Sequence, residues 1–137
     1  MMRRALPLFL ATLVMATPAV AQRSQPIAVR YVTDGDTLRL ASGERIRIAG
    51  IDAPESDPRQ AKCALEIRRG RAAKATLETL IGAWPVTVIR VGRSYNRTVA
   101  TVAVGGRDLA TSLIAAGAAK PWPRGRPKPD WCRALAD

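Results

Sequence analysis

The sequence predicts a small α+β domain, mainly β, in which a five-stranded barrel carries two packed helices. Three observations lead there. Short runs of β-forming residues alternate apolar and polar positions between turn-forming pairs, as half-buried strands do. One stretch, from about Cys63 to Ile81, switches to helical spacing, and a shorter one follows Asp108. The resulting order, three strands, a helix, two strands and a helix, is the inventory of the OB-fold.

The first strand runs from Ile27 to Thr33, Asp34 and Gly35 supply a turn, and Thr37 to Leu40 completes a hairpin. Ser42 and Gly43 make the next turn. Arg45, Ile46, Arg47 and Ile48 then alternate strictly, so the isoleucines face a core and the arginines face away from it. Asp52, Ala53, Pro54 and Glu55 end that strand, and a polar loop follows through Asp57, Pro58, Arg59 and Gln60. In the first helix, Leu65, Ala72, Ala73, Leu77 and Leu80 form one apolar stripe, which Gly82 closes. Gly70 costs about 1 kcal/mol relative to Ala, which leaves open a later start. Val86 to Val91 and Thr98 to Val104 give two more strands, and Asp108 caps a helix from Leu109 to Ala116 that Gly117 ends. Pro121, Pro123, Pro127 and Pro129 exclude a long terminal helix.

The amino terminus has the layout of a signal peptide: Arg3 and Arg4, an apolar run from Ala5 to Ala16, Pro18, and the small triplet Ala19-Val20-Ala21. Cleavage is expected after Ala21, with an uncleaved anchor as the alternative, although the run is shorter than the roughly 20 residues of a membrane span. The expected organisation is a leader at 1–21, a domain at 22–120 and a proline-rich basic tail at 121–137, in a protein secreted or periplasmic. Of the net charge of +11, only Arg3 and Arg4 belong to the leader, which leaves +9 for the rest. Such a chain seeks polyanions: nucleic acid, anionic lipid or acidic polysaccharide.

Cys63 and Cys132 are the only cysteines, and in an oxidising compartment a bridge is the simplest expectation; two buried free thiols are the alternative. Closing a loop of about 70 residues would stabilise the fold by roughly 4 kcal/mol. There is no histidine. That excludes Ser-His-Asp and Cys-His hydrolases and every nuclease with an imidazole base, and with so few cysteines it excludes the common structural zinc sites.

Hydrolytic chemistry would have to run on carboxylates, arginines and a metal. Asp36, Asp52 and Glu55 lie near adjacent strand ends, and calcium can share a few such carboxylates with carbonyls, waters and a substrate phosphate. Asp34 and Asp36 around Gly35 also read as plain turn residues. Arg47, on the strand face opposite Ile46 and Ile48, could grip a phosphate bidentately or be an ordinary exposed strand arginine. Arg47 and Asp52 have opposite strand parity, so the backbone must bend between them, and Gly50 is where a bend is cheap. In the tail, Lys120, Arg124, Arg126, Lys128 and Arg133 interleave with Trp122 and Trp131. The pattern suits a single strand with stacked bases, or else tryptophans that cover the barrel beneath solvated charges.

Asp34-Gly35-Asp36-Thr37, then Arg47 through Ile51 into Asp52-Ala53-Pro54-Glu55, then Tyr95-Asn96-Arg97, together resemble the ordered signature of the thermonuclease, or staphylococcal nuclease-like, family. The resemblance runs from about Ile27 to Lys120, and Leu109 to Lys120 is similar to the family's second helix and the turn after it. It implies that Asp36 and Asp52 bind Ca2+ directly and that Glu55 orients or deprotonates the attacking water. It further implies that Arg47 and Arg97 clamp the phosphate and stabilise a pentavalent transition state, while Tyr95 contacts a neighbouring phosphate. The implied protein is a secreted, monomeric, calcium-dependent nuclease with no membrane anchor after signal cleavage. It would cut DNA or RNA at the P–O5′ bond with little sequence specificity and leave 3′-phosphates. Electrostatics agrees, because in-line attack builds negative charge that a divalent cation and two arginines can neutralise.

The chain departs from the family pattern in four places. Asn96 replaces the usual Gly between Tyr and Arg; Asn tolerates left-handed geometry, so Arg97 is expected to be only mildly disturbed. Ser94 stands where a lysine is common, and Pro121, Trp122 and Pro123 replace the tyrosines beyond the second helix. The long terminal helix is missing, and the Cys63–Cys132 bridge is expected to take its place by tying the tail to the first helix. Two other functions compete: a catalytically inactive OB-fold module that binds nucleic acid in the cell envelope, and an envelope protein that holds anionic surfaces. Retention of Asp36, Arg47, Glu55 and Arg97 favours the nuclease.

Overall fold

Alternation decides the sheet. In a computed structural model, which describes residues 25–133, β1 (Val29–Asp34) and β2 (Thr37–Leu40) form the expected hairpin, and β3 (Arg45–Ile48) pairs antiparallel with β2. Ile46 and Ile48 are buried while Arg45 and Arg47 lie half-buried on the other face. The chain then turns at Gly50, whose φ is 75°, before β4 (Ile51–Asp52). Asp52 therefore sits on a strand of its own rather than at the end of β3. The leader expected at residues 1–21 lies outside the described residues.

β5 (Thr87–Ser94) and β6 (Arg97–Val104) are a long antiparallel hairpin, and β5 continues past the expected Val91 to Ser94. β6 runs parallel to β3, giving the order β1-β2-β3-β6-β5, and β7 (Arg107–Asp108) folds back on β6. The outer members of that order approach each other just before β1 and β5. There Ile27 N–H donates to Val86 O at 2.7 Å, and Val86 N–H donates to Ile27 O at 2.9 Å. β8 (Lys120–Pro121) pairs with β4 as a separate ribbon. The architecture is mixed α+β, mostly sheet, with two helices.

The first helix, α1 (Ala64–Ile81), starts at its Cys63 cap, runs unbroken through Gly70, and ends at Gly82 with φ 55°. Its buried face is Glu66, Gly70, Ala73, Leu77 and Ile81; Ala72, expected inside, is exposed. Small residues set this rotation. A Cβ on Gly70 would fall on the backbone of Glu55 and Ser56, and one on Gly35 would lie 2.6 Å from the Ala73 Cβ. The helix is seated too close to the β1–β2 turn and the Glu55 loop for any larger side chain at these points. The second helix, α2 (Leu109–Ala115), is capped as expected: Asp108 Oδ1 accepts from Thr111 N–H at 2.7 Å.

Leu38, Leu40, Ile46, Ile48, Leu77, Val102, Leu109 and Leu113 make the centre of the core. Each such side chain, fully buried, contributes about 1.5–3 kcal/mol. The tail belongs to the same body. The boundary expected at residue 120 falls inside β8, Trp131 is buried, and Cys63 and Cys132 form the expected disulfide with Cα atoms 6.0 Å apart. Arg69 Nη1 reinforces the bridge by donating to the carbonyls of Trp131 at 2.7 Å and Arg133 at 2.8 Å.

The packing at Gly70 opposes helix propensity and leads to a test. Gly70→Ala gains up to about 1 kcal/mol of propensity, but overpacking against fixed backbone costs about 1–3 kcal/mol. The expected outcome is a lower melting temperature; an unchanged or higher one would show that the Glu55 loop yields freely.

Candidate active site

The site begins with two buried carboxylates that could not be buried alone. Asp36 lies with Gly35 in the turn between β1 and β2 and is 5% exposed, and Asp52 on β4 is 1% exposed. An unpaired ionised carboxylate in such a place would be strongly penalised, so each must find donors. Asp36 Oδ2 accepts from Arg47 Nη1 at 2.8 Å and from Ala53 N–H at 3.1 Å, while Oδ1 accepts from Thr37 Oγ1 at 2.8 Å. Asp52 Oδ2 accepts from the indole Nε1–H of Trp131 at 2.9 Å. Its Oδ1 lies 3.5 Å from Arg47 Nη2 and 3.7 Å from Lys128 Nζ.

Arg47 is the hinge of this arrangement. Strand alternation turns it away from the core, the bend at Gly50 brings β4 alongside, and Nη2 donates to the Ile51 carbonyl at 3.1 Å. The guanidinium also lies over the Trp122 ring, 5.3 Å from its centroid, a cation–π contact from the tail. Its side chain is only 12% exposed, so it is not an ordinary surface arginine.

Glu55 is held from behind. Its backbone N–H donates to Glu66 Oε1 at 3.3 Å, Gly70 leaves room for its carbonyl, and its carboxylate is turned to the cleft, where Oε1 lies 3.0 Å from Lys128 Nζ. Arg97, half-buried at the start of β6, lines the same cleft and enters no ion pair among the described residues. Tyr95 lies at the tip of the β5–β6 hairpin and is 94% exposed. The left-handed residue of that tip is Tyr95 itself, with φ 54°, and not Asn96, so the tolerance expected of Asn96 is exercised one residue earlier. Asp34, Asp36, Arg47, Asp52, Glu55, Tyr95, Arg97 and Lys128 thus line one cleft of about 730 Å3.

Asp36, Arg47, Asp52, Glu55, Tyr95 and Arg97 are brought together here, whereas Lys120, Arg124, Arg126 and Arg133 of the tail do not line the cleft, and the structure adds others. Trp131, Lys128 and Trp122 come from the tail, where both tryptophans engage site residues instead of standing free. Glu66 is a buried carboxylate inside α1 that takes the Glu55 and Lys62 amides. Only the tail's aromatic-cation pattern was a signal for any of these; Glu66 gave none.

The electrostatics are those of crowded like charges. Burial, and then the charges of Asp36 and Glu55, raise the Asp34 carboxyl above its usual value. Burial raises Asp52 too, against the lowering effects of the Trp131 hydrogen bond and Lys128. For Lys128, burial works against the charge, but the hydrogen bond to Glu55 and the charges of Asp52 and Glu55 outweigh it and hold the ammonium above its usual value. The donors are hard oxygens, suited in kind to a hard cation. Among the described residues no group of three or more His, Cys, Asp or Glu side chains is placed to hold a metal ion.

A family model described as staphylococcal nuclease homologue matches residues 45–130, more than half of the chain. No curated protein matches it.

The charge crowding at Asp34 has a testable sign. A carboxyl with a raised folded-state value favours the protonated fold, so its ionisation weakens stability as pH rises from near 3.8 through that raised value. Asp34→Asn, in metal-free protein, should therefore melt at a higher temperature than the parent at pH 7. The gap should close below about pH 3.8, where both are neutral. A variant that is less stable at pH 7 would reverse the argument.

Proposed function

We propose, for a chain that belongs to the staphylococcal nuclease homologue family, that it is an active, calcium-dependent nuclease that hydrolyses DNA or RNA phosphodiesters with little sequence specificity. The observation that carries this reading is the network Asp36–Arg47–Asp52, with Glu55 and, on the same cleft, Arg97, which has no ion-pair partner among the described residues. A binding module needs basic surface alone. This cleft instead combines buried carboxylates, a fixed guanidinium, a second guanidinium and a further carboxylate.

Asp36 and Asp52 are the residues that would hold calcium. Calcium accepts so small a set of protein carboxylates because waters and substrate oxygens fill the rest of its six to eight positions in loose geometry. When bound, calcium supplies positive charge against the reacting phosphate oxygens. Arg97 grips the phosphate from the open side, and Arg47, already oriented by Asp36 and Trp122, meets the charge that builds on it. Glu55 takes a proton from the attacking water as its oxygen bonds to phosphorus. The P–O5′ bond breaks, O5′ takes a proton from solvent, and a 3′-phosphate remains. Tyr95, exposed at the hairpin tip, meets an adjacent phosphate of the strand.

The finer architecture follows the same reading. The Ile27–Val86 bridge is taken as the seam that closes β1-β2-β3-β6-β5 into a five-stranded OB barrel. Residues 1–21 are taken as an export signal that yields a secreted or periplasmic monomer without a membrane anchor. Among the described residues no helix is long and apolar enough to cross a membrane. One observation favours the inactive nucleic-acid-binding module instead: Lys128 stands on Glu55 at 3.0 Å.

Cleavage of a plasmid and of a single strand, in calcium, in magnesium and in excess chelator, separates the two. The nuclease reading expects cleavage in calcium only. Arg97→Ala should lower turnover by about 100-fold or more without unfolding the protein, the scale for losing one preorganised transition-state donor. Arg47→Ala should do the same and also destabilise, because it strands two buried carboxylates. Glu55→Gln should bind DNA in calcium but cut it very slowly. Near-parental cleavage by Glu55→Gln and both arginine variants would refute the mechanism.

A further inference from the structure

The tail segment Pro127-Lys128-Pro129 presents one ammonium to the cleft, and nothing in the proposed reaction uses it. Lys128 Nζ lies 3.0 Å from Glu55 Oε1 and 3.7 Å from Asp52 Oδ1, so it touches both a carboxylate proposed to hold metal and the one proposed to move a proton. Its side chain is 37% exposed, with the ammonium pointed inward at those oxygens.

The backbone that carries it is fixed on both sides. Before it, β8 pairs with β4, Trp122 N–H donates to Gly50 O at 2.8 Å, and Trp122 Nε1 donates to Arg126 O at 2.8 Å. After it, Trp131 donates to Asp52 at 2.9 Å, Arg69 holds the Trp131 carbonyl at 2.7 Å, and Cys132 is bonded to Cys63. The flanking prolines restrict the backbone further, so little chain entropy opposes the contact. A charge held this way competes at high effective concentration with any free ion.

We propose that Lys128 is an internal occupant of the carboxylate cleft, a tethered ammonium that calcium must displace from Asp52 and Glu55. It neutralises the cleft when metal is absent, weakens calcium affinity, and keeps Glu55 engaged until the ion arrives. The inference rests on the calcium reading above, and the test keeps the two apart.

Calcium chloride is titrated calorimetrically into the metal-free full chain without nucleic acid, for the parent, Lys128→Gln and Lys128→Arg. Removing the partly exposed ammonium that pairs with both carboxylates should tighten calcium binding by roughly threefold to tenfold in Lys128→Gln, while Lys128→Arg, which keeps the charge, stays near the parent. Melting provides a second measurement: Lys128→Gln should melt lower than the parent without metal and gain more on adding calcium. Equal or weaker calcium binding by Lys128→Gln, with parental binding intact, overturns the role of Lys128 and leaves the calcium reading standing. Calcium binding by none of the three overturns the calcium reading and this inference with it.

Discussion

The ion pair between Arg47 and Asp36 is the contact on which the rest of the site depends. Both groups are nearly withdrawn from solvent, and separating buried ions from water is expensive unless their remaining donors and acceptors are filled. Here they are filled: Asp36 by Thr37 and the Ala53 amide, Arg47 by the Ile51 carbonyl and the Trp122 face. These partners come from β2, from β4 and the residue after it, and from the tail, so the pair ties all three to β3. A change that disturbs any of them reaches the others through one guanidinium.

The helix contributes to the site by what it lacks. Gly70 and Ala73 let α1 approach the Glu55 loop and the Asp34-Gly35 turn at backbone distance, and Glu66 on the same face takes up the Glu55 amide. The gain is precision of position. A loop resting on a helix has fewer conformations than one in solvent, and Glu55 sits on that loop.

Much of this was legible in the sequence because it is local. Strict alternation from Arg45 to Ile48 fixed which residues face the core, Gly50 marked the bend that lets Arg47 meet Asp52, and the order of Asp36, Arg47, Asp52, Glu55 and Arg97 carried the family resemblance. Capping by Asp108 and the bridge between the only two cysteines were equally readable. What could not be read depends on long-range contact. Counting apolar residues placed Ala72 on the inner stripe of α1, whereas the real inner face was selected by smallness at Gly70 and Ala73 and admits Glu66. Trp131 and Lys128 sit far along the chain from Asp52 and Glu55, and no spacing rule connects them. The hairpin tip shows a smaller limit: the replaced glycine drew attention to Asn96, but the positive φ falls on Tyr95.

The carboxy-terminal tether also bears on when the cleft comes into being. Asp52 receives its indole partner from a residue 79 positions later, and the bridge spans 69 positions. A chain emerging from synthesis can build the first hairpin early, since those contacts are local, but it cannot finish Asp52's surroundings until Trp131 is available. Completion of the cleft thus waits for the segment that carries Trp131 and Cys132 and for the oxidation of two thiols. An incomplete or reduced chain carries the signature residues without the setting that orients them.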